Sequence, residues 1–124
     1  MNPCILFVDD EAPIREMLSL YFRKKGYDVT TAVTCREARD AVQGGKFDLA
    51  IVDINLAGEN GLELLDHFRS RFPELPVIMF TGLTGDDTLL DQAMSRGAAA
   101  FMRKTDSLDE LFAVTQAHAR RSGV

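Results

Sequence analysis

Four groups of polar residues stand directly after short apolar runs. Asp9-Asp10-Glu11 follows Val8, Asp53 follows Val52, Thr81 follows Phe80, and Arg103-Lys104 follows Met102. A single aspartate in such a place is ordinarily a strand or helix cap, but four groups together describe one site. Brought to about 5 Å, each like-charge pair among Asp9, Asp10 and Asp53 costs about 3 kcal/mol at an effective dielectric of 20. A divalent cation bound through carboxylate oxygen offsets that repulsion. Magnesium, which keeps several waters and also takes phosphate oxygens, suits one or two carboxylates plus a carbonyl. Asp10 and Asp53 are then ligands, and Asp9 acts directly or through water. Lys104 supplies a fixed ammonium and Thr81 a hydroxyl, both suited to the oxygens of a phosphoryl group. Phosphoryl transfer asks for little beyond such positioning and charge neutralisation. One carboxylate must be the nucleophile, and Asp53, alone at its strand end, is the candidate.

The elements that position these residues are legible in the hydrophobic pattern. Cys4 to Val8, Val29 to Val33, Leu49 to Val52, Val77 to Phe80 and Ala98 to Met102 read as five strands. Several are continuously apolar, as strands covered on both faces of a parallel sheet are. Between them lie stretches of helical spacing, such as Ile14, Met17, Leu18 and Tyr21, or Leu62, Leu65, Phe68 and Phe72. Thr34 to Glu37 and Ser107 to Glu110 have capping-box spacing, and Gly26 and Gly97 fall where helix C-caps belong. Pro73 and Pro76 bracket the entry to the fourth strand. The result is one α/β domain over residues 1–124, strand and helix alternating five times. In an open parallel sheet, ligands bind beyond the carboxyl ends of the strands where strand order reverses, so the four groups meet there.

Composition narrows the function classes. The chain has 124 residues, 46% hydrophobic and 27% charged, the balance of an ordinary globular domain. No run approaches the roughly 20 apolar residues of a membrane span, and the start lacks the basic flank and cleavage site of a secretory signal, so a cytoplasmic location is expected. Net charge is −5, with Lys and Arg scattered except for Arg23-Lys24-Lys25 and Arg120-Arg121, which argues against direct nucleic-acid binding. Cys4 reads as a small buried hydrophobe and Cys35 as an ordinary helix residue. His67 and His118 read as solvated surface residues.

Across essentially its whole length the chain resembles the receiver domain of two-component response regulators, as in the chemotaxis response regulator. Asp9-Asp10 is similar to the family's acidic pair, Asp53 to its phosphorylated aspartate, Thr81 to its switch hydroxyl and Lys104 to its invariant lysine. The resemblance implies a flavodoxin-like three-layer sandwich with a five-stranded parallel sheet in the order 2-1-3-4-5. It implies that Asn55 offers its backbone carbonyl to Mg2+, and that Phe101 is the aromatic that reorients with Thr81. Two positions depart from the family pattern. Thr105 follows Lys104 where a proline, often after a cis bond, is usual; a cis bond without proline costs about 3 to 4 kcal/mol, so a trans bond or a strained loop is expected. Ala57 replaces a common proline after Leu56, which leaves the loop beyond Asp53 less restrained. Altered kinetics, rather than lost function, is the expectation.

The resemblance further implies that the phosphoryl donor is a phosphohistidine on a sensor histidine kinase or histidine phosphotransfer protein. The output passes through the face of helix 4, strand 5 and helix 5 to a downstream protein or output domain, with a phosphorylation-dependent dimer as one form. Such a chain is not an enzyme beyond its own phosphorylation and dephosphorylation. Rival readings are separable. A haloacid-dehalogenase-type phosphatase uses similar groups, but its nucleophile comes first with a second acid two residues on, whereas here the acidic pair comes first and Asn55 stands two beyond Asp53. A flavin carrier would need a phosphate cradle where Asp9-Asp10-Glu11 stands. A receiver-shaped interaction module that is never phosphorylated is the remaining alternative.

Overall fold

The computed structural model describes residues 2–82 and 88–119; Arg120 and Arg121 lie outside the described residues. Each apolar run becomes a strand because flanking helices cover it. In chain order the elements are β1 (Cys4–Val8), α1 (Ala12–Lys24), β2 (Asp28–Ala32), α2 (Cys35–Gly44), β3 (Leu49–Val52), β4 (Asn55–Leu56), β5 (Glu59–Asn60), α3 (Gly61–Arg71), β6 (Val77–Thr81), α4 (Thr88–Ser95), β7 (Ala100–Arg103) and α5 (Leu108–His118). The main sheet is parallel in the order β2-β1-β3-β6-β7, and β4 and β5 form a separate antiparallel hairpin. Counting only strands of the main sheet, the order is the expected 2-1-3-4-5, and the fold is flavodoxin-like.

Alternation along the strands divides the core into two layers. Leu6, Val8, Ala50, Val52, Val77 and Met79 pack with α2, α3 and α4, while Ile5, Phe7, Leu49, Ile51, Ile78 and Phe80 pack with α1 and α5. The central strands β3 and β6 are buried throughout, and the edge strand β2 exposes Asp28, Thr30 and Thr31. No helix among the described residues is long and apolar enough to cross a membrane.

The helix limits follow the expected chemistry. Thr34 Oγ1 accepts from the Glu37 amide at 3.1 Å, and Glu37 Oε1 reaches back to the Val33 amide at 2.8 Å. Ser107 Oγ accepts from the Glu110 amide at 3.1 Å. Gly26 and Gly97, at φ 90° and 97°, end α1 and α4. The latter end also corrects the last strand. Gly97 N–H donates to Met94 O and Ala98 N–H to Ala93 O, so Ala98 closes a Schellman motif and β7 begins two residues later than its apolar run suggests.

Three side chains differ from expectation. Cys35 is buried beneath α2 and Cys4 is only half-buried at the sheet margin, the reverse of their reading. His67 is half-buried against Phe68 and Phe72, and burial, with Arg39 and Arg71 nearby, holds its imidazole below the usual range. Only the packing of α3 shows which side of the helix is covered. His118 is exposed as expected.

Thr115 on α5 is fully buried, and its hydroxyl has no hydrogen-bond partner among the described residues. A buried hydroxyl without a partner forfeits its hydration. Thr115→Val should therefore raise the unfolding free energy by about 1 kcal/mol, read from urea denaturation. A loss of stability would contradict this.

Candidate functional site

The sheet's own ladder carries the reactive residues. Asp9 N–H donates to Ala32 O at 3.1 Å, Asp53 N–H to Val8 O at 2.9 Å, and Lys104 N–H to Thr81 O at 2.8 Å. The strand pairing thus runs one step past β1, β3 and β7 and fixes the backbones of the polar residues beyond them. Arg15 adds a side-chain bond from Nη1 to Asp9 O at 2.9 Å. Asp9, Asp53 and Thr81 are each at most 3% exposed, so these side chains are held rather than solvated.

Lys104 is the centre of charge. Its Nζ lies 2.9 Å from Asp9 Oδ2, 2.9 Å from Asp53 Oδ2 and 2.7 Å from Glu11 Oε1. Burial alone would lower the ammonium pKa, but hydrogen bonds to Glu11 and Asp53 and the ion pair with Asp9 outweigh it and raise it above the ordinary lysine value. Burial raises the carboxyls of both Asp9 and Asp53 above the usual range, and for Asp53 the neighbouring Asp9 adds to that rise while Lys104 opposes it. One cation thus serves three carboxylates, and the site carries excess negative charge.

Asp9, Asp10, Glu11 and Asp53 each offer a carboxylate oxygen, and the four atoms lie within 4.8 Å of one another. Asp10, Glu11, Asp53, Asn55, Thr81, Gly82 and Lys104 line a cavity of about 350 Å3. Hard oxygen donors, surplus negative charge and an adjoining space with room for several waters fit a magnesium ion. The expected residues Asp10, Asp53, Asn55, Thr81 and Lys104 therefore meet at one cavity, with Asp9 behind it on Lys104. Phe101 does not line it. This residue is half-buried on β7 against the α2/α3/α4 core layer, with the Arg103 guanidinium 5.9 Å from its ring centroid. Its register partner is Met79, and Thr81 pairs with Arg103, so Phe101 and Thr81 share one face of neighbouring strands.

Sequence reasoning assigned no role to Glu11, although it stands in the acidic run after Val8; its reach to Lys104 depends on the approach of β7. The two departures from the family pattern also acquire structure. No described peptide bond is cis, so Lys104–Thr105 is trans. The turn there is closed instead by Asp106, whose N–H donates to Arg103 O and whose Oδ2 accepts from the Arg103 N–H, both at 2.9 Å. The loop after Asp53 takes a defined turn. Freed from a proline ring, Ala57 takes φ 47° and Gly58 takes φ 88°, the signs of a type I′ turn, and β4 and β5 pair around it.

The hairpin returns to α3 through Gly61, whose N–H donates to Ile54 O at 2.6 Å. A Cβ at Gly61 would collide with the Asp53 carbonyl oxygen and lie 2.9 Å from Ile54 Cα, both backbone atoms. Gly61→Ala should thus cost about 2 kcal/mol of stability, as overpacking does, and displace Asp53. Thermal unfolding measures the first effect, and the Asp53 amide resonance the second. An unshifted resonance would show that the hairpin absorbs the methyl.

The model of the response regulator receiver domain matches residues 5–116. The chain belongs to the response regulator receiver domain family. Solved structures agree with that placement. The chemotaxis protein CheY4 of Vibrio cholerae is 29% identical with a TM-score of 0.86, the match covering 95% of this chain and 99% of that one. The response regulator TrrA of Thermotoga maritima, in complex with Mg(2+)-BeF, is 30% identical with a TM-score of 0.83 over 93% of this chain and 97% of that one. NtrX of Brucella abortus is 33% identical with a TM-score of 0.82; the match covers 95% of this chain but 27% of NtrX. A receiver domain can thus stand nearly alone or form a fraction of a longer chain.

Proposed function

We propose that this receiver domain is a magnesium-dependent switch that accepts a phosphoryl group on Asp53 from a phosphohistidine of a sensor kinase or phosphotransfer protein. The observation that carries the reading is the buried Asp53 carboxylate, 2.9 Å from the Lys104 ammonium within a group of four carboxylates at an open cavity. In the transfer, an Asp53 oxygen bonds to phosphorus as the bond from phosphorus to the imidazole nitrogen breaks, and the imidazole leaves with that electron pair. Magnesium, held by Asp10, Asp53, the Asn55 carbonyl and Asp9 directly or through water, supplies neutralising charge to the phosphoryl oxygens.

The chain's own residues do the rest. Lys104 exchanges carboxylate contacts for phosphoryl oxygens, beginning with the exposed Glu11, whose ion pair contributes least. Thr81 turns its hydroxyl to the phosphoryl group, which brings about −1.5 to −2 of charge, and Phe101 follows on the shared face. A shift from 1:99 to 99:1 between states needs about 5.5 kcal/mol of preference, within reach of several charge-assisted contacts. The output face comprises α4, β7 and α5, directed to a downstream protein, an output domain or a second receiver. The setting is cytoplasmic, and turnover is confined to the domain's own acyl phosphate. The complex of TrrA with Mg(2+)-BeF supports the magnesium assignment by likeness. Incubation with acetyl phosphate should add one phosphoryl mass to the intact chain with magnesium and none with EDTA. Absence of the adduct in both would favour an interaction module that is never phosphorylated.

A further inference from the structure

The hairpin after Asp53 does more than connect β3 to α3. It is anchored on one side by Leu56, fully buried in the core, and by Glu59, whose Oε1 accepts from the Cys35 amide at the start of α2 at 3.1 Å. At its tip Ala57 holds φ 47°, a left-handed conformation that a residue with a Cβ adopts only against steric cost. Retained strain of this kind points to a purpose for the conformation. In it, the Ala57 N–H donates to Asp10 Oδ2 at 3.0 Å.

We propose that the Ala57 backbone amide is a positioning group for the metal carboxylate of Asp10, through a hydrogen bond that a proline could not make. Asp10 is the least enclosed of the three aspartates in the site, and the long-range contact given to its carboxylate comes from this amide across 47 residues of chain. With Oδ2 held, Oδ1 is presented to a cation beside Asp53. The strained turn and the anchored strands aim the donor; the hydrogen bond orients the ligand, as partners behind a metal ligand commonly do. This inference rests on the magnesium reading above.

The test is calorimetric titration of the whole chain with magnesium chloride. Ala57→Gly keeps the donor and suits positive φ, so its dissociation constant should stay within about threefold of wild type while its melting temperature rises. Ala57→Pro removes the donor and cannot adopt φ 47°, so magnesium binding should weaken by about 10-fold or more, the usual cost of losing a ligand's partner. Binding by Ala57→Pro within about twofold of wild type would overturn the inference. Failure of wild type to bind magnesium would instead overturn the metal reading itself. Should Ala57→Pro not fold, amide exchange decides: Ala57 N–H should be protected in wild type and lose that protection in Asp10→Ala. Equal exchange in both would reject the assignment.

Discussion

Asp53→Asn should gain no phosphoryl group from acetyl phosphate and magnesium under conditions that modify the wild-type chain, as read by intact mass. The substitution preserves shape and removes the proposed nucleophile, because an amide oxygen carries neither the charge nor the lone-pair availability of a carboxylate. A second effect runs the opposite way. Burial and Asp9 raise the Asp53 carboxyl above its ordinary pKa, so the folded state binds its proton more tightly than the unfolded state does. For such a group stability falls as pH rises from the unfolded value, near 3.9, through the folded value. The substituted amide does not ionise and escapes that loss, and Lys104 keeps Asp9 and Glu11 as partners. In metal-free buffer at neutral pH the variant should therefore unfold at a higher temperature than wild type, with the difference shrinking toward acid pH. Undiminished phosphorylation of Asp53→Asn would transfer the acceptor role to another carboxylate.

The second large effect concerns the cation. Lys104→Met leaves Asp9 and Asp53, both nearly inaccessible, without the ammonium that each now contacts at 2.9 Å. Removing one partner of a buried ion pair costs about 3 kcal/mol or more, so urea denaturation at neutral pH without metal should show a loss of that size. Its pH dependence identifies the cause. With Lys104 gone, both carboxyls rise further above their unfolded values, so the deficit grows with pH and should fade below about pH 4, where the carboxylates protonate in either state. Magnesium should recover part of it, since an ion at 100 times its dissociation constant adds about 2.7 kcal/mol to the state that binds it. A loss equal at acid and neutral pH would mean that the aliphatic stem, not the charge, matters. The variant should also fail to switch, because phosphorylated Asp53 would lack its fixed counter-ion.

These two effects mark how far sequence reading reached. Asp9, Asp10, Asp53, Thr81 and Lys104 were each legible because every one follows an apolar run, and parallel strands deliver their carboxyl ends to one edge of the sheet. Backbone ladders continue one residue past β1, β3 and β7, which is why adjacency in sequence became adjacency in space. Glu11 was visible but had no role, because its partner comes from 93 residues away. The surroundings of Phe101 were hidden for a related reason: its strand parity could be read, but whether an edge-strand side chain is covered depends on the helices beside it. Absence of a proline beyond Asp53 removes a local restraint, but the hairpin, the buried Leu56 and the Asp10 carboxylate impose a non-local one.

By itself the sequence determined the alternation of strand and helix, the caps at Thr34, Ser107, Gly26 and Gly97, and the residue types able to hold a cation and accept a phosphoryl group. Periodicity and capping are local, acting within a few residues of chain. Only the tertiary structure decided that one ammonium would serve three carboxylates, that Ala57 would take φ 47° and aim its amide at Asp10, and that Asp106 would close the turn carrying Lys104. Charge pairing and turn geometry at this site depend on distances between segments that meet only after the sheet has formed.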